Sequence, residues 1–309
     1  MDLSIIIVSW NVKDKLRECL MSVEETMATP RDHATAESGL VTPAALTYEV
    51  FVVDNASKDG SVQMVEKEFP EAHLIANNFN AGFAKANNQA IRLSQGRYVL
   101  LLNPDMRLLG GGEQAHTLQG MVRFMDEERN RKVGVAGCWL VNAAGETVPH
   151  VRRFPTIKDQ LAVLLKVPHL FPVVLNLYMM KDFDYSKEAR VDSIRGSFFM
   201  IRREVLDKIG LLDEGFFIWF EEVDFCKRAI EAGFEVAYTP RARCVDYVGQ
   251  SFRQVRLYPK QKMMTRSMLY YFKKHHPWWQ YRILWILRPL ALAAAWVGDS
   301  LHMQAKRVT

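Results

Sequence analysis

Three stretches decide how this chain folds: LSIIIVSWN at residues 3–11, EVFVVDNASKDGS at 49–61 and RYVLLLNPD at 97–105. Each is a short apolar run that stops at Asn or Asp. A continuous apolar run, as opposed to an alternating one, suits a strand buried on both faces, the usual state in a parallel sheet. Helical patterning follows the first strand at about 13–27 and the second at 57–69. A short strand at 72–76 and a helix at 82–94 come next. Strands alternating with helices predict an α/β protein with an open, mostly parallel sheet flanked by helices. Such sheets bind ligands beyond the C-terminal ends of their strands, where Asp54, Asn103 and Asp105 fall.

The second half is less regular. A strand is expected at 133–141, mixed loop and helix over 150–185, a strand at 193–201 and a helix at 221–232. Residues 28–46 lack periodicity and read as a surface insertion. The block 196–251 is the richest in chemistry: Glu221, Glu222 and Asp224 stand beside Phe216, Phe217, Trp219 and Phe220. Exposed aromatics cost free energy unless they bind something, and clustered carboxylates repel unless a metal or a proton relieves them. A sugar ring above a divalent cation accounts for both. The alternative is that the acidic triplet only complements a helix N-terminus.

Four scattered cysteines with no C-x-x-C pair argue against a zinc ribbon or a disulfide framework and suit a reducing compartment. The start, MDLSIIIVSWN, lacks a basic flank and reads as a buried strand, not a signal peptide. The net charge of +5 is unevenly spread: residues 251–309 hold eleven Lys/Arg and one acidic residue, Asp299, leaving the remainder at −5. A basic tail on an acidic body suggests an anionic surface as partner.

Asp54 and Asn55 can accept from a nucleotide base or ribose, while Ser57 either joins them or caps the next helix. Asn80, Asn87 and Asn88 lie in a segment too rich in amides to be explained by helix propensity. Asp105, fixed by Pro104 at a strand end, suits a hard cation bridging two phosphates. His275 and His276 have no metal-ligand partner nearby in sequence and read as structural or interfacial.

Together these segments resemble the family 2 glycosyltransferases of GT-A fold, in the bacterial rhamnosyltransferase-like branch, over about residues 2–275. The marks are SIIIVSWN at 4–11, VVDNASKDGS at 52–61, NAGFAKANN at 80–88, LLNPD at 101–105, RRFPT at 152–156 and the block 196–251. The resemblance implies a catalytic domain over 1–250, with a nucleotide-sugar half at about 1–110 and an acceptor half at about 130–250. A basic, aromatic helical extension, 251–309, would follow. It implies that Asp54 holds the base and that Asn103-Pro104-Asp105 occupies the place of the D-x-D motif, with Asp105 as metal ligand. The catalytic base falls on Glu222, with Glu221 and Asp224 as further candidates. Asp246 stands where the family commonly has a metal-binding His.

The activity implied is inverting transfer from a dTDP- or UDP-sugar, with Mg²⁺ or Mn²⁺, to a glycan or polyprenyl-linked acceptor in surface-polysaccharide synthesis. A different class of reading is a non-catalytic GT-A domain that binds nucleotide or glycan within a membrane assembly. Nucleic acid is not expected, because the carboxylates of the Asp105/Glu222 cleft would repel a polyanion. In the tail, Arg282, Arg288 and Pro289 interrupt the apolar run, while Trp278, Trp279 and Trp285 with flanking cations suit a helix lying on the inner face of the cell membrane. Packing on the catalytic domain or across a homo-oligomer is the other use of such a tail.

Overall fold

A computed structural model of the chain describes residues 1–27, 46–109, 117–247, 249 and 254–308, with the side chains of 301–308 excluded. Most of the 28–46 insertion therefore lies outside the described residues, as do Val248 and residues 250–253.

The N-terminal half alternates as its apolar runs predict. Strands β1 (Leu3–Ser9), β2 (Tyr48–Asp54), β3 (His73–Ala76) and β4 (Tyr98–Leu102) are parallel in the order β3-β2-β1-β4. Helices α1 (Lys13–Met27), α2 (Ser61–Glu68) and α3 (Phe83–Ile91) connect them. The sheet then continues with β8 (Phe198–Arg202), β6 (Val133–Val141), β9 (Glu235–Asp246) and β5 (Met106–Leu108), and β7 (Ala189–Arg190) pairs on β9. β8 runs antiparallel to both β4 and β6, β9 is parallel to β6, and β5 is antiparallel to β9.

Successive residues of β1 feed opposite layers. Leu3, Ile5 and Ile7 pack with α1, α2 and α4 (Thr117–Asp126), whereas Ile6 packs with α3, α6 (Arg203–Ile209) and α7 (Glu221–Glu231). The sheet is thus apolar on both faces, which is why its strands read as unbroken runs. A third cluster joins α5 (Ile157–Leu164), α7, α8 (Leu257–His275) and α9 (Trp278–Val308) through Leu164, Phe220, Val223, Tyr271, Phe272 and Leu284.

Three elements depart from the sequence expectation. The second helix begins at Ser61, not Ser57, because local polar bonds hold 54–60 as a loop. Asp54 Oδ2 accepts the Ser57 amide at 2.8 Å, Asn11 Oδ1 accepts the Lys58 amide at 2.7 Å, and Gly60 turns into the helix at φ 84°. The strand expected at 193–201 is confined to Phe198–Arg202, and Ser193 instead bridges Arg152. β9 was invisible in the sequence because Pro240, Arg241 and Arg243 break its apolar pattern. The register between β6 and β9 shifts between Gly137/Tyr238 and Trp139/Arg243, so Pro240 falls at an irregularity where a strand tolerates it.

The segment Trp278–Ser300 is long and apolar enough to cross a membrane by length and composition. Two of its polar side chains nevertheless serve the contact with α8. Asp299 accepts the amides of Leu257 and Tyr258 at 3.0 and 2.9 Å, and Arg288 donates to Thr265 Oγ1 at 3.0 Å. Leu284, Ala291 and Ala295 are buried on the same side, while Trp278, Trp285, Ile286, Leu290 and Trp296 are exposed.

Asn88 is a test of how the two halves are tied. Its side chain donates to the carbonyl of Leu212 at 2.8 Å and accepts that residue's amide at 3.1 Å, all within the interior. Asn88→Ala leaves both backbone groups unpaired and should cost about 1–3 kcal/mol in urea denaturation. An unchanged midpoint would mean that the clamp contributes nothing.

Candidate active site

The strand ends and the start of α7 surround a cleft of about 840 Å³, a volume ordinary for a small-ligand site. Its wall includes Trp10, Asn55, Asn80, Asn103, Asp105, Arg152, Arg195, Phe217, Trp219, Glu221, Glu222 and Asp246. Residues more than a hundred positions apart therefore meet in one cavity.

At one end, β5 and β9 pair with Met106 opposite Asp246, and the Tyr247 amide donates to the Asp105 carbonyl at 3.1 Å. That register puts Asp105 and Asp246, both buried, on neighbouring strand termini. Arg195 donates to Asp246 Oδ2 at 3.1 Å, with Ser197 Oγ 3.5 Å from the same oxygen. Asn103 is held by its amide, which donates to the Ser197 carbonyl at 2.9 Å. Among the described residues, no group of three or more His, Cys, Asp or Glu forms a ready metal site. Both carboxylates line the cleft, and oxygen donors of this kind suit a hard cation.

The ends of β2 and β3 carry loops that brace each other. Asp54 is buried at the end of β2, and its Oδ1 has no hydrogen-bond partner in the protein. Asn55 Oδ1 accepts from the Ala81 amide and the Asn77 side chain, and its Nδ2 donates to the Gly82 carbonyl. Asn80 accepts the Gly82 amide at 2.9 Å, and Ser57 Oγ accepts the Asn11 amide at 2.9 Å. Asn55 and Asn80 line the cleft; Asp54, Ser57, Asn87 and Asn88 are not among its lining residues. Asn87 donates back to the Phe83 carbonyl, and its own Oδ1 is buried without a partner.

The acidic triplet divides. Glu221 and Glu222 open α7 and face the cleft, and the Oε2 atom of each is buried without a hydrogen-bond partner. Burial and then the neighbouring Glu222 charge push the Glu221 carboxyl well above 4.5. Burial also raises Glu222, opposed by the positive charges of Arg152 and Arg195. Asp224 turns away into the α7–α8 contact. It accepts from Arg228 at 2.8 Å, and Lys274 Nζ and His275 Nε2 each lie 2.7 Å from its Oδ1. Burial works to raise its pKa, but bonds from His275 and Lys274 and the Arg228 charge win and hold it at about 2. His275 is thus structural, through a carboxylate that its sequence neighbours did not reveal.

The carboxylate pair sits where it does because the preceding loop is constrained. Trp219 and Phe220 both have positive φ, 63° and 70°, a conformation costing non-glycine residues on the order of 1–3 kcal/mol each. Surrounding contacts offset this. Ser267 donates to the Ile218 carbonyl at 2.7 Å, the Phe220 ring lies 5.5 Å from Tyr271, and Phe216 meets Tyr270 edge-on at 4.8 Å. On the other side the Phe83 amide donates to the Phe217 carbonyl at 2.7 Å. A Cβ on Gly82 would lie 2.4 Å from that carbonyl oxygen, so this position accepts glycine alone.

Sequence reasoning assigned no role to Arg195 or Arg152, the two cations facing Glu222. The RRFPT segment and the residue preceding Gly196 were their only signals.

A family model described as "Glycosyl transferase family 2" matches residues 4–210, two thirds of the chain. The chain belongs to glycosyl transferase family 2. This glycosyltransferase is 24% identical over 272 residues to the N-acetylglucosaminyl-diphospho-decaprenol L-rhamnosyltransferase of Mycobacterium tuberculosis, covering 84% of this chain and 86% of the relative. It is 24% identical over 174 residues to rhamnosyltransferase WbbL of Escherichia coli K12, covering 54% of this chain and 61% of the relative. It is rhamnosyltransferase-like in that sense. Among solved structures it resembles the mannosyltransferase PcManGT from Pyrobaculum calidifontis, solved with GDP-Man and Mn²⁺. The TM-score is 0.55 at 20% identity, over 97% of this chain and 75% of that one, a likeness of GT-A-like fold.

The raised Glu221 carboxyl gives a stability test. A carboxyl whose folded pKa lies above its unfolded one favours the folded state less as pH rises from the unfolded value, near 4.5, up to the folded one. Glu221→Gln removes that penalty. Its melting temperature should exceed that of the unsubstituted protein at pH 8 and converge with it by about pH 4.5. A gap independent of pH would show that Glu221 is not held neutral-leaning by burial.

Proposed function

We propose that this glycosyltransferase moves a sugar, rhamnose first among candidates, from a dTDP- or UDP-sugar to a hydroxyl of a polyprenyl-linked or other glycan acceptor. The product would belong to cell-surface polysaccharide synthesis. One observation carries the reading: a single cleft is lined by Asp105, Asp246, Glu221 and Glu222, with the charges of Arg152 and Arg195 acting on Glu222. The rhamnosyl and diphospho-decaprenol terms in the mycobacterial relative's name favour the donor sugar and the lipid-linked acceptor.

Asn55, which lines the cleft, and Asp54, whose buried Oδ1 has no hydrogen-bond partner in the protein, would receive the nucleoside. Asp105 and Asp246 would hold Mg²⁺ or Mn²⁺, which when bound neutralises the diphosphate and so improves it as a leaving group. Arg195 would shift between Asp246 and the diphosphate, adding positive charge where the electron pair departs. Glu222 would accept the acceptor hydroxyl proton as the new C–O bond forms and the bond to phosphate breaks. One in-line displacement inverts the anomeric centre and needs no enzyme nucleophile. The cysteines fit that picture, since all four are buried and Cys19, Cys138 and Cys226 are pushed far above their ordinary pKa by burial.

The placement we favour is peripheral, on the inner face of the cell membrane. Support comes from the +10 balance of 251–309 and from the exposed Trp278, Trp285 and Trp296 on the outer side of α9.

Two kinetic outcomes follow. Chelation should abolish nucleotide release, and Asp105→Asn should lower kcat/KM at least about tenfold, or 1.4 kcal/mol; full activity in excess EDTA contradicts the cation. Glu222→Gln should lower turnover by roughly 10²–10⁴ with donor affinity kept. The acidic limb of the pH profile should sit above the ordinary glutamate value, activity falling as the pH drops through it. If Glu222→Gln turns over normally while Glu221→Gln is dead, the two roles are exchanged.

A further inference from the structure

The segment after α5 carries an unusual surface. Leu165, Leu170, Phe171, Val173, Val174 and Leu177 are all exposed, and Leu170 at 79% is among the most exposed large apolar side chains described. The segment is made of two short 3-10 turns, Val167–His169 and Pro172–Leu175, each with a proline near its start. Its other side is not idle: Leu175, Tyr178 and Met179 line the cleft. Residues 165–179 thus carry an apolar outer surface on one side and cleft-lining side chains on the other. Water should not favour such an arrangement, since six solvated apolar groups in one short segment cost free energy that burial would recover.

The surroundings indicate what covers it. Residues 151–184 hold five Lys/Arg and three acidic residues, Asp159, Asp182 and Asp184. Lys158, His169 and Lys181 are exposed. Lys166 is turned back to Gln261 of α8 at 3.0 Å, which pins the segment to the body. α5 packs on α9 through Leu161, Leu164, Leu284 and Leu287, so the segment adjoins the helix with the exposed tryptophans. Exposed apolar side chains flanked in sequence by the exposed Lys158 and Lys181 match the headgroup–acyl boundary of an anionic leaflet. A protein partner would call for opposite charge and shape, for which nothing in the segment is specific.

We infer that residues 165–177 dip into an anionic lipid leaflet and form the doorway through which a lipid-held acceptor enters the cleft. The doorway role rests on the lipid-linked acceptor proposed above; insertion into the leaflet does not. α9 then supplies a second, broader contact with the same leaflet.

The test uses the full chain. Because the four native cysteines are buried, Leu170→Cys can be labelled selectively with an environment-sensitive dye, with Lys67→Cys on α2 as control. With vesicles of phosphatidylglycerol and phosphatidylcholine, the dye at 170 should shift to the blue and the dye at 67 should not. Leu170→Ser/Phe171→Ser, which changes only exposed side chains, should bind these vesicles at least about tenfold more weakly. Its donor hydrolysis should be unchanged, and that readout tests the transferase reading separately. Three results overturn the inference: no blue shift at 170 while the protein floats with the vesicles, no binding to the vesicles at all, or a dye already shifted without lipid in a protein of dimeric mass, which assigns the surface to a second copy.

Discussion

The pairing of β5 with β9 is the contact on which the cleft depends. β5 is three residues long and could not persist alone. Laid antiparallel on β9, it brings Asp105 beside Asp246 across 141 positions of sequence. Cys244 Sγ donates to the Arg107 carbonyl at 3.2 Å, and Met106 and Leu108 are buried beneath. A slip of one residue would turn the alternate side chains of β5 to the opposite face and exchange buried Met106 and Leu108 for exposed Arg107. The register is therefore fixed by burial, and with it the placing of Asp105 and Asp246 on neighbouring strand ends.

The opposite side of the cleft is governed by a different balance. Glu221 and Glu222 gain nothing from burial, and they are preceded by two residues in a left-handed conformation. What holds them is α8, whose Ser267, Tyr270 and Tyr271 grip the 216–220 loop, while Lys274 and His275 lock Asp224 at the back of α7. The Asp224 ion network works in the reverse sense to the Glu pair. Its lowered pKa stabilises the fold above about pH 4, and that contribution fades as the pH falls toward 2. A well-satisfied carboxylate thus anchors two poorly satisfied ones, which is the usual direction of trade between stability and function.

The sequence disclosed what is periodic and local. β1 and β4 were readable because both faces are buried, β2 because its last four residues are, and Val133–Val141 emerged with its bounds intact as a run without charges. Asp105 and the acidic triplet stood out as candidate chemistry, whereas Asp246 entered only through the family resemblance. The separation of the triplet into cleft-facing Glu221 and Glu222 and inward-facing Asp224 was not readable, because it depends on α8, some fifty residues further on. β5 and β9 were hidden because one is too short and the other carries Pro240 and two arginines. Asn88, quoted for its amide, is tied up by Leu212, a contact across 124 positions that no local pattern could signal. Arg195 took its meaning only when β9 placed Asp246 3.1 Å from it.

The central claim is that the Asp105/Asp246 end of the cleft receives the donor diphosphate together with a cation. The most direct measurement is a crystal structure with dTDP or UDP and Mn²⁺, recorded for anomalous scattering. The predicted result is a manganese peak within about 2.0–2.6 Å of oxygens from Asp105, Asp246 and the diphosphate, a range set by oxygen coordination of hard cations. In it Arg195 would be turned from Asp246 toward phosphate and the nucleoside would lie against Asp54. A nucleotide bound with the Arg195–Asp246 bond intact and no metal beside Asp105, or one bound elsewhere on the surface, would contradict it.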